Sequence, residues 1–173
     1  MIDNKKSHQE LLRSLNKQAF EIKVEVKEGG FMPAKAHPTD AGYDLRAVED
    51  ITIYPGQVKK VPLNIRLELP ISTWAEIASK SGLGAKGLLV YAGVIDESYR
   101  GVPHVVMSNI NLISHVDEEG FPIMRTEPIV IKRGEKLAQL IMSPYTSQYY
   151  MTQVDEVDEH TDRGTGGFGS SGV

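Results

Sequence analysis

Five apolar side chains, Val61, Leu63, Ile65, Leu67 and Leu69, alternate with Pro62, Asn64, Arg66 and Glu68, and no other stretch constrains the fold as strongly. Successive side chains of an extended backbone point to opposite faces, so such a run buries one face on a core and leaves the other in water. Ile22, Val24 and Val26 alternate with Lys23, Glu25 and Lys27 in the same way. Further apolar runs cover 51–53, 74–78, 88–91, 102–113, 129–131 and 137–142. Turn signals separate them at Pro55-Gly56, Ser81-Gly82, Lys86-Gly87 and Arg133-Gly134. Pro62 has no N–H to give to a ladder and belongs at a strand edge or bulge. Many short strands punctuated by glycine and proline predict an all-β chain, a jelly-roll-like β-sandwich.

Three segments are expected. Residues 1–20 read as an N-terminal helical extension: Ser7 and Glu10 fit a capping box, and Leu11, Leu15 and Ala19 recur at helical spacing. Residues 21–157 form the β domain, with an inserted hairpin or loop at about 111–131 around Asp117-Glu118-Glu119-Gly120. Residues 158–173 form a flexible glycine-rich tail. At 173 residues and 40% hydrophobic, one core accounts for the domain.

The formal net charge is −4, which advertises no stable nucleic-acid binding. There is no cysteine, so neither a disulfide framework nor cysteine-ligated zinc is available, as suits a cytoplasmic protein. No apolar run approaches the ~20 residues that cross a bilayer, and no membrane partner is expected. His8, His37, His104, His115 and His160 show no metal-ligand spacing.

Five segments carry chemistry. The first, Asp40 to Ala47, sets Asp44 close to Gly42. The second sets Lys80 and Ser81 against Gly82. In the third, Ala92 to Gly101, a strand edge delivers Asp96 and then Tyr99 between Gly93 and Gly101, whose missing Cβ atoms are expected to leave room for a ligand. The fourth, Lys136 to Leu140, places the amide of Gln139 within an apolar strand. The fifth, Arg163 to Gly172, sets a cation and the ring of Phe168 among glycines. Each alone has an ordinary reading: a strand-end aspartate, a turn, a solvent-facing amide, a disordered tail. A carboxylate base, ring platforms and phosphate-closing glycines in one chain point instead to nucleotide chemistry.

These five segments, in this order and from about Ile22 to the C-terminus, resemble the trimeric dUTPase family. The resemblance implies a jelly-roll homotrimer with shared sites that hydrolyses dUTP to dUMP and pyrophosphate with Mg²⁺, limiting uracil incorporation into DNA. It implies that Asp96 activates the water that attacks the α-phosphorus. Gln139 and Ser81 help to order the reacting phosphate, and Asp44 holds the metal through its water shell. Lys80, Ser81 and Gly82 contact phosphates, Gly93 reads the uracil edge with its main chain, and Tyr99 packs on the deoxyribose. From the tail, Arg163 meets the terminal phosphate and Phe168 stacks on uracil. Gly166, Gly167, Gly169 and Ser170 close around the phosphates as a lid.

The chain departs from the family pattern at Lys80, where an arginine is usual, and lysine lacks the bidentate fork. The 111–131 insert and the N-terminal extension are also additional, and insertions of this sort resemble those of phage-encoded relatives. A protein partner is expected through 111–131 or 7–20. Two other functions fit the same fold: a dCTP deaminase-related enzyme, and a nucleotide-binding regulatory protein.

Overall fold

Every second residue from Val61 to Leu69 is buried, and their alternation organises the core although the run is not one strand. In the computed structural model, which describes residues 21–91, 93–124, 127–145 and 151–157, the run divides at Asn64. That residue takes a left-handed φ of 51°, and its amide side chain donates to the Glu28 carbonyl. Asparagine tolerates this conformation better than most residues. The break therefore turns the chain without changing which side chains face inward. Two strands result, β4 (Val58–Pro62) and β5 (Ile65–Glu68), and the expected N-terminal helix lies outside the described residues.

The remaining strands follow the apolar runs. They are β1 (Lys23–Val26), β2 (Gly42–Arg46), β3 (Ile51–Ile53), β6 (Thr73–Ala78), β7 (Leu88–Tyr91), β8 (Val94–Ile95) and β9 (His104–Asn109). After them come β10 (Ile113–Val116), β11 (Pro122–Met124), β12 (Ile129–Ile131) and β13 (Lys136–Pro144). The Ser81-Gly82 turn signal is met by a single helical turn, α1 (Ser81–Gly84), whose Leu83 and Gly84 amides both return to the Lys80 carbonyl.

The larger sheet runs β2-β13-β6-β8 and the smaller β4-β9-β7, with the pairs β1-β5, β12-β3 and β10-β11 beside them. This is the all-β, jelly-roll-like sandwich that the alternation predicts. Leu45, Ile53, Ile77, Leu88, Val105, Met107, Ile131, Leu137 and Leu140 fill the core with the Val61–Leu69 series. Pro62 lies in β4, an edge strand, where its missing N–H costs no interior ladder bond. Gly134 has a φ of 83°, a conformation that glycine adopts without steric cost, and so reverses the chain between β12 and β13.

In the 111–131 segment, β10 pairs antiparallel with β11 as a hairpin. Asp117 closes it: its carboxylate and carbonyl accept from the Phe121 and Gly120 amides. Among the described residues no helix is long and apolar enough to cross a membrane.

Candidate functional site

The central strand β13 gathers three of the five segments at one end of the larger sheet. Gln139 lies opposite Asp44 of β2 on one side and Ala78 of β6 on the other. Its amide nitrogen donates to the Ser79 carbonyl (2.9 Å). A Cβ at Gly42 would lie 2.7 Å from the Gln139 amide oxygen, so the glycine gives that side chain its berth.

Asp44 is nearly buried, its side chain 10% exposed, and each of its oxygens takes one cation. Lys80 Nζ stands 2.5 Å from Oδ1 and Lys136 Nζ stands 2.6 Å from Oδ2. Burial by itself would push this carboxyl up. The hydrogen bonds and charges of Lys136 and Lys80 outweigh it and hold the group below the usual carboxylate range. Lys136 was not singled out in the sequence, although it opens the same segment as Gln139.

Such a carboxylate is a poor metal ligand, because a divalent ion beside it would meet two ammonium groups at contact distance. Among the described residues no three His, Asp or Glu side chains converge as a metal cage. Direct coordination of a divalent ion by Asp44 therefore does not fit the groups around it, whereas the expected hold through a water shell needs no such contact.

A lowered carboxyl pKa contributes stability above the unfolded value of about 3.9, and that contribution fades as pH falls through the lower folded value. Asp44→Asn is therefore expected to lose about 1–3 kcal/mol of stability near neutrality. This is less than for a fully buried pair, because Lys80 and Lys136 are 27% and 39% exposed. Thermal melts of the wild type and the variant should be furthest apart above roughly pH 5 and converge in stronger acid. A constant gap down to low pH would show that the ion pairs are not its cause.

The third segment lies on the edge of the same sheet. Gly93, Asp96 and Tyr99 line a cavity of about 130 Å³ with Ile77, Val94, Ile95, Pro103 and His104. The two glycines do not leave open room here. A Cβ at Gly93 would meet the Ile77 carbonyl oxygen at 2.3 Å, and the Ile77 amide donates to the Gly93 carbonyl (2.8 Å). A Cβ at Gly101 would meet the Tyr99 hydroxyl at 2.4 Å. At both positions it is close packing of the chain on itself, against the Ile77 backbone and the Tyr99 side chain, that excludes a Cβ. Gly82 is different, since a Cβ there would meet nothing within 4 Å. Tyr99 donates to the Val102 carbonyl (3.1 Å) and is 43% exposed.

Asp96 and Ser81 do not meet within one chain. Ile95 faces Ala75 across β6, so Asp96 lies toward the start of that strand, while Lys80 and Ser81 follow its far end. The extended chain from Ala75 to Ser81 spans about 20 Å at ~3.3 Å per residue. One chain thus carries the candidate residues in two groups: Asp44, Lys80, Ser81, Gly82 and Gln139 at one end of the sheet, and Asp96 and Tyr99 at the other. Arg163, Gly166, Gly167, Phe168, Gly169 and Ser170 lie outside the described residues.

Comparison with known proteins bears on both halves. The dUTPase family model matches residues 29–115 and 122–172. The unmatched gap between these blocks is the tip of the β10-β11 hairpin. A deoxyuridine 5'-triphosphate nucleotidohydrolase of Gloeothece citriformis is 36% identical over 89% of this chain and 98% of its own. The Pol polyprotein of caprine arthritis encephalitis virus is 40% identical over 86% of this chain, which spans only 12% of that polyprotein's length.

Among solved structures, Staphylococcus bacteriophage 80alpha dUTPase with dUpNHpp superposes with a TM-score of 0.70 at 27% identity, covering 88% of this chain and 99% of that one. The phage phi11 dUTPase of S. aureus, at a TM-score of 0.65 and 27% identity, covers 79% of this chain and 97% of its own. That protein coordinates a structural Mg(II) ion.

Proposed function

Since this chain belongs to the dUTPase family, we propose that it hydrolyses dUTP to dUMP and pyrophosphate at sites shared between the copies of a homotrimer. The separation of Asp96 from Ser81 along β6 carries this reading. A base beside the start of β6 and a phosphate-holding group beyond its far end act on one phosphorus when different copies supply them. Closed symmetric association provides that arrangement at every interface.

A Mg²⁺ ion carried by the nucleotide would bind phosphate oxygens and keep several waters, and Asp44 would hold it only through those waters. Asp96 takes a proton from the water that attacks the α-phosphorus, and the P–O bond to the pyrophosphate leaving group breaks. Gln139 and Ser81 of a second copy orient the α-phosphate, and Gly82 leaves its backbone open to the phosphates. When Lys80 turns from Asp44 to a phosphate, Lys136 remains to neutralise the carboxylate. Arg163, Gly166, Gly167, Phe168, Gly169 and Ser170 close over the nucleotide, with Phe168 stacked on the base.

The main chain at Gly93 reads the uracil edge, and cytosine in its place would leave buried polar groups unpaired. Tyr99 packs against the deoxyribose and fills the space of a 2′-hydroxyl. Tyr99→Ala is expected to reduce the kcat/KM preference for dUTP over UTP by about tenfold or more. Measured pyrophosphate release from the two substrates decides this, and an unchanged preference contradicts the sugar gate.

A further inference from the structure

The strand that presents Asp96 is short. β8 contributes two paired residues at the edge of the larger sheet, too few ladder bonds to fix the turn that follows it. Glu97 supplies what the ladder lacks. Its Oε2 accepts from the Ser72 amide at 2.7 Å and from the Tyr145 hydroxyl at 2.8 Å. The Tyr145 amide in turn donates to the Ser72 carbonyl (2.9 Å).

Three segments distant in sequence thus meet at one oxygen: the turn after β8, the residue before β6 and the residue after β13. Ser72 has a φ of 60°, a left-handed conformation uncommon for serine, and Glu97 engages the amide it presents. Within the turn, Arg100 donates to the Glu97 carbonyl (2.6 Å) and the Tyr99 amide to the Asp96 carbonyl (3.0 Å). Asp96, Glu97 and Tyr145 line one cavity of about 540 Å³ with Trp74, Val94 and Ser98. The Tyr145 phenol titrates above its ordinary range, chiefly through its bond to Glu97, then through burial and the charges of Glu97 and Asp96.

We propose that Glu97 is a positioning residue for the hydrolysis. Its carboxylate fastens the Asp96 turn to the entry of β6 and the exit of β13, and thereby fixes where the base sits. The inference rests on Asp96 being that base. A base displaced by about 1 Å binds nucleotide as before but transfers its proton poorly, and such displacement costs up to about 10²-fold in rate.

The test is pyrophosphate release from dUTP by the full chain, with dUpNHpp affinity and thermal melting measured beside it. Glu97→Ala is expected to lower kcat by about 10–100-fold, with KM and dUpNHpp affinity unchanged within about threefold, since the groups that bind the nucleotide remain. Glu97→Gln offers an amide oxygen to the same two donors and should recover most of the lost turnover. Tyr145→Phe removes one of the two bonds and should fall between them.

Wild-type kcat in Glu97→Ala, or equal kcat losses in the alanine and glutamine variants, overturns the proposal. If Glu97→Ala does not fold, Tyr145→Phe decides, and a wild-type kcat there overturns it. Asp96→Asn run in parallel separates the two levels. Retained turnover in that variant removes Asp96 as the base, whereas its loss beside a wild-type Glu97→Ala removes only the role of Glu97.

Discussion

Asp96→Asn is expected to lower kcat for dUTP by about 10²–10⁴-fold and to leave dUpNHpp affinity within about twofold, because the amide keeps the shape of the carboxylate. Only the capacity to accept the water's proton is lost. The size of the effect follows from what the rest of the site still supplies: orientation of the phosphate and neutralisation of its charge. The carboxylate's exposed place at the sheet edge, beside the cavity lined by Gly93 and Tyr99, leaves it accessible to water. Titration with dUpNHpp against steady-state turnover separates the two effects. A parallel fall in affinity and kcat would assign Asp96 to binding.

A second large effect is expected when two inactive proteins are mixed. Asp96→Asn spoils one half-site, and the double variant Ser81→Ala with Gln139→Ala spoils the other. Each alone should be nearly inactive. Co-refolded in equal amounts, they should regain about a quarter of wild-type turnover, because each shared site draws each half intact with probability about one half. The reason lies in the register of β6, which holds Asp96 and Ser81 apart within one chain. Recovery far below this value, with mixed trimers present, would place both half-sites in a single chain and contradict the shared arrangement.

The core strands were legible because their period-two pattern follows burial, whereas in β1 the same alternation leaves Val24 half-buried and Val26 44% exposed. Val61, Leu63, Ile65, Leu67 and Leu69 are 1–4% exposed, as the alternation required. The pattern did not reveal the division at Asn64, because a left-handed residue interrupts the strand without disturbing the parity of the faces. Ser81-Gly82 likewise reads as a turn, and its continuation into one helical turn rests on the Leu83 and Gly84 amides reaching the Lys80 carbonyl.

Of the candidate site, single residues were legible but not their neighbours in space. Asp44 stood out as a carboxylate near a glycine. Its clamping by Lys80 and Lys136 depends on β13 lying against β2, which no local pattern encodes. Gly93 was expected to leave room for a ligand, whereas it is the Ile77 carbonyl that occupies the space. Glu97 was passed over because its partners, Ser72 and Tyr145, are 25 and 48 residues away. Long-range pairing leaves little trace in one sequence unless both partners are of a marked type.

The most direct measurement is pyrophosphate release from dUTP with Mg²⁺ present, run beside dCTP, dTTP and UTP. Rapid release from dUTP alone is the expected result. Ammonia release from dCTP, or no reaction with any of the four by the folded protein, would contradict the assignment.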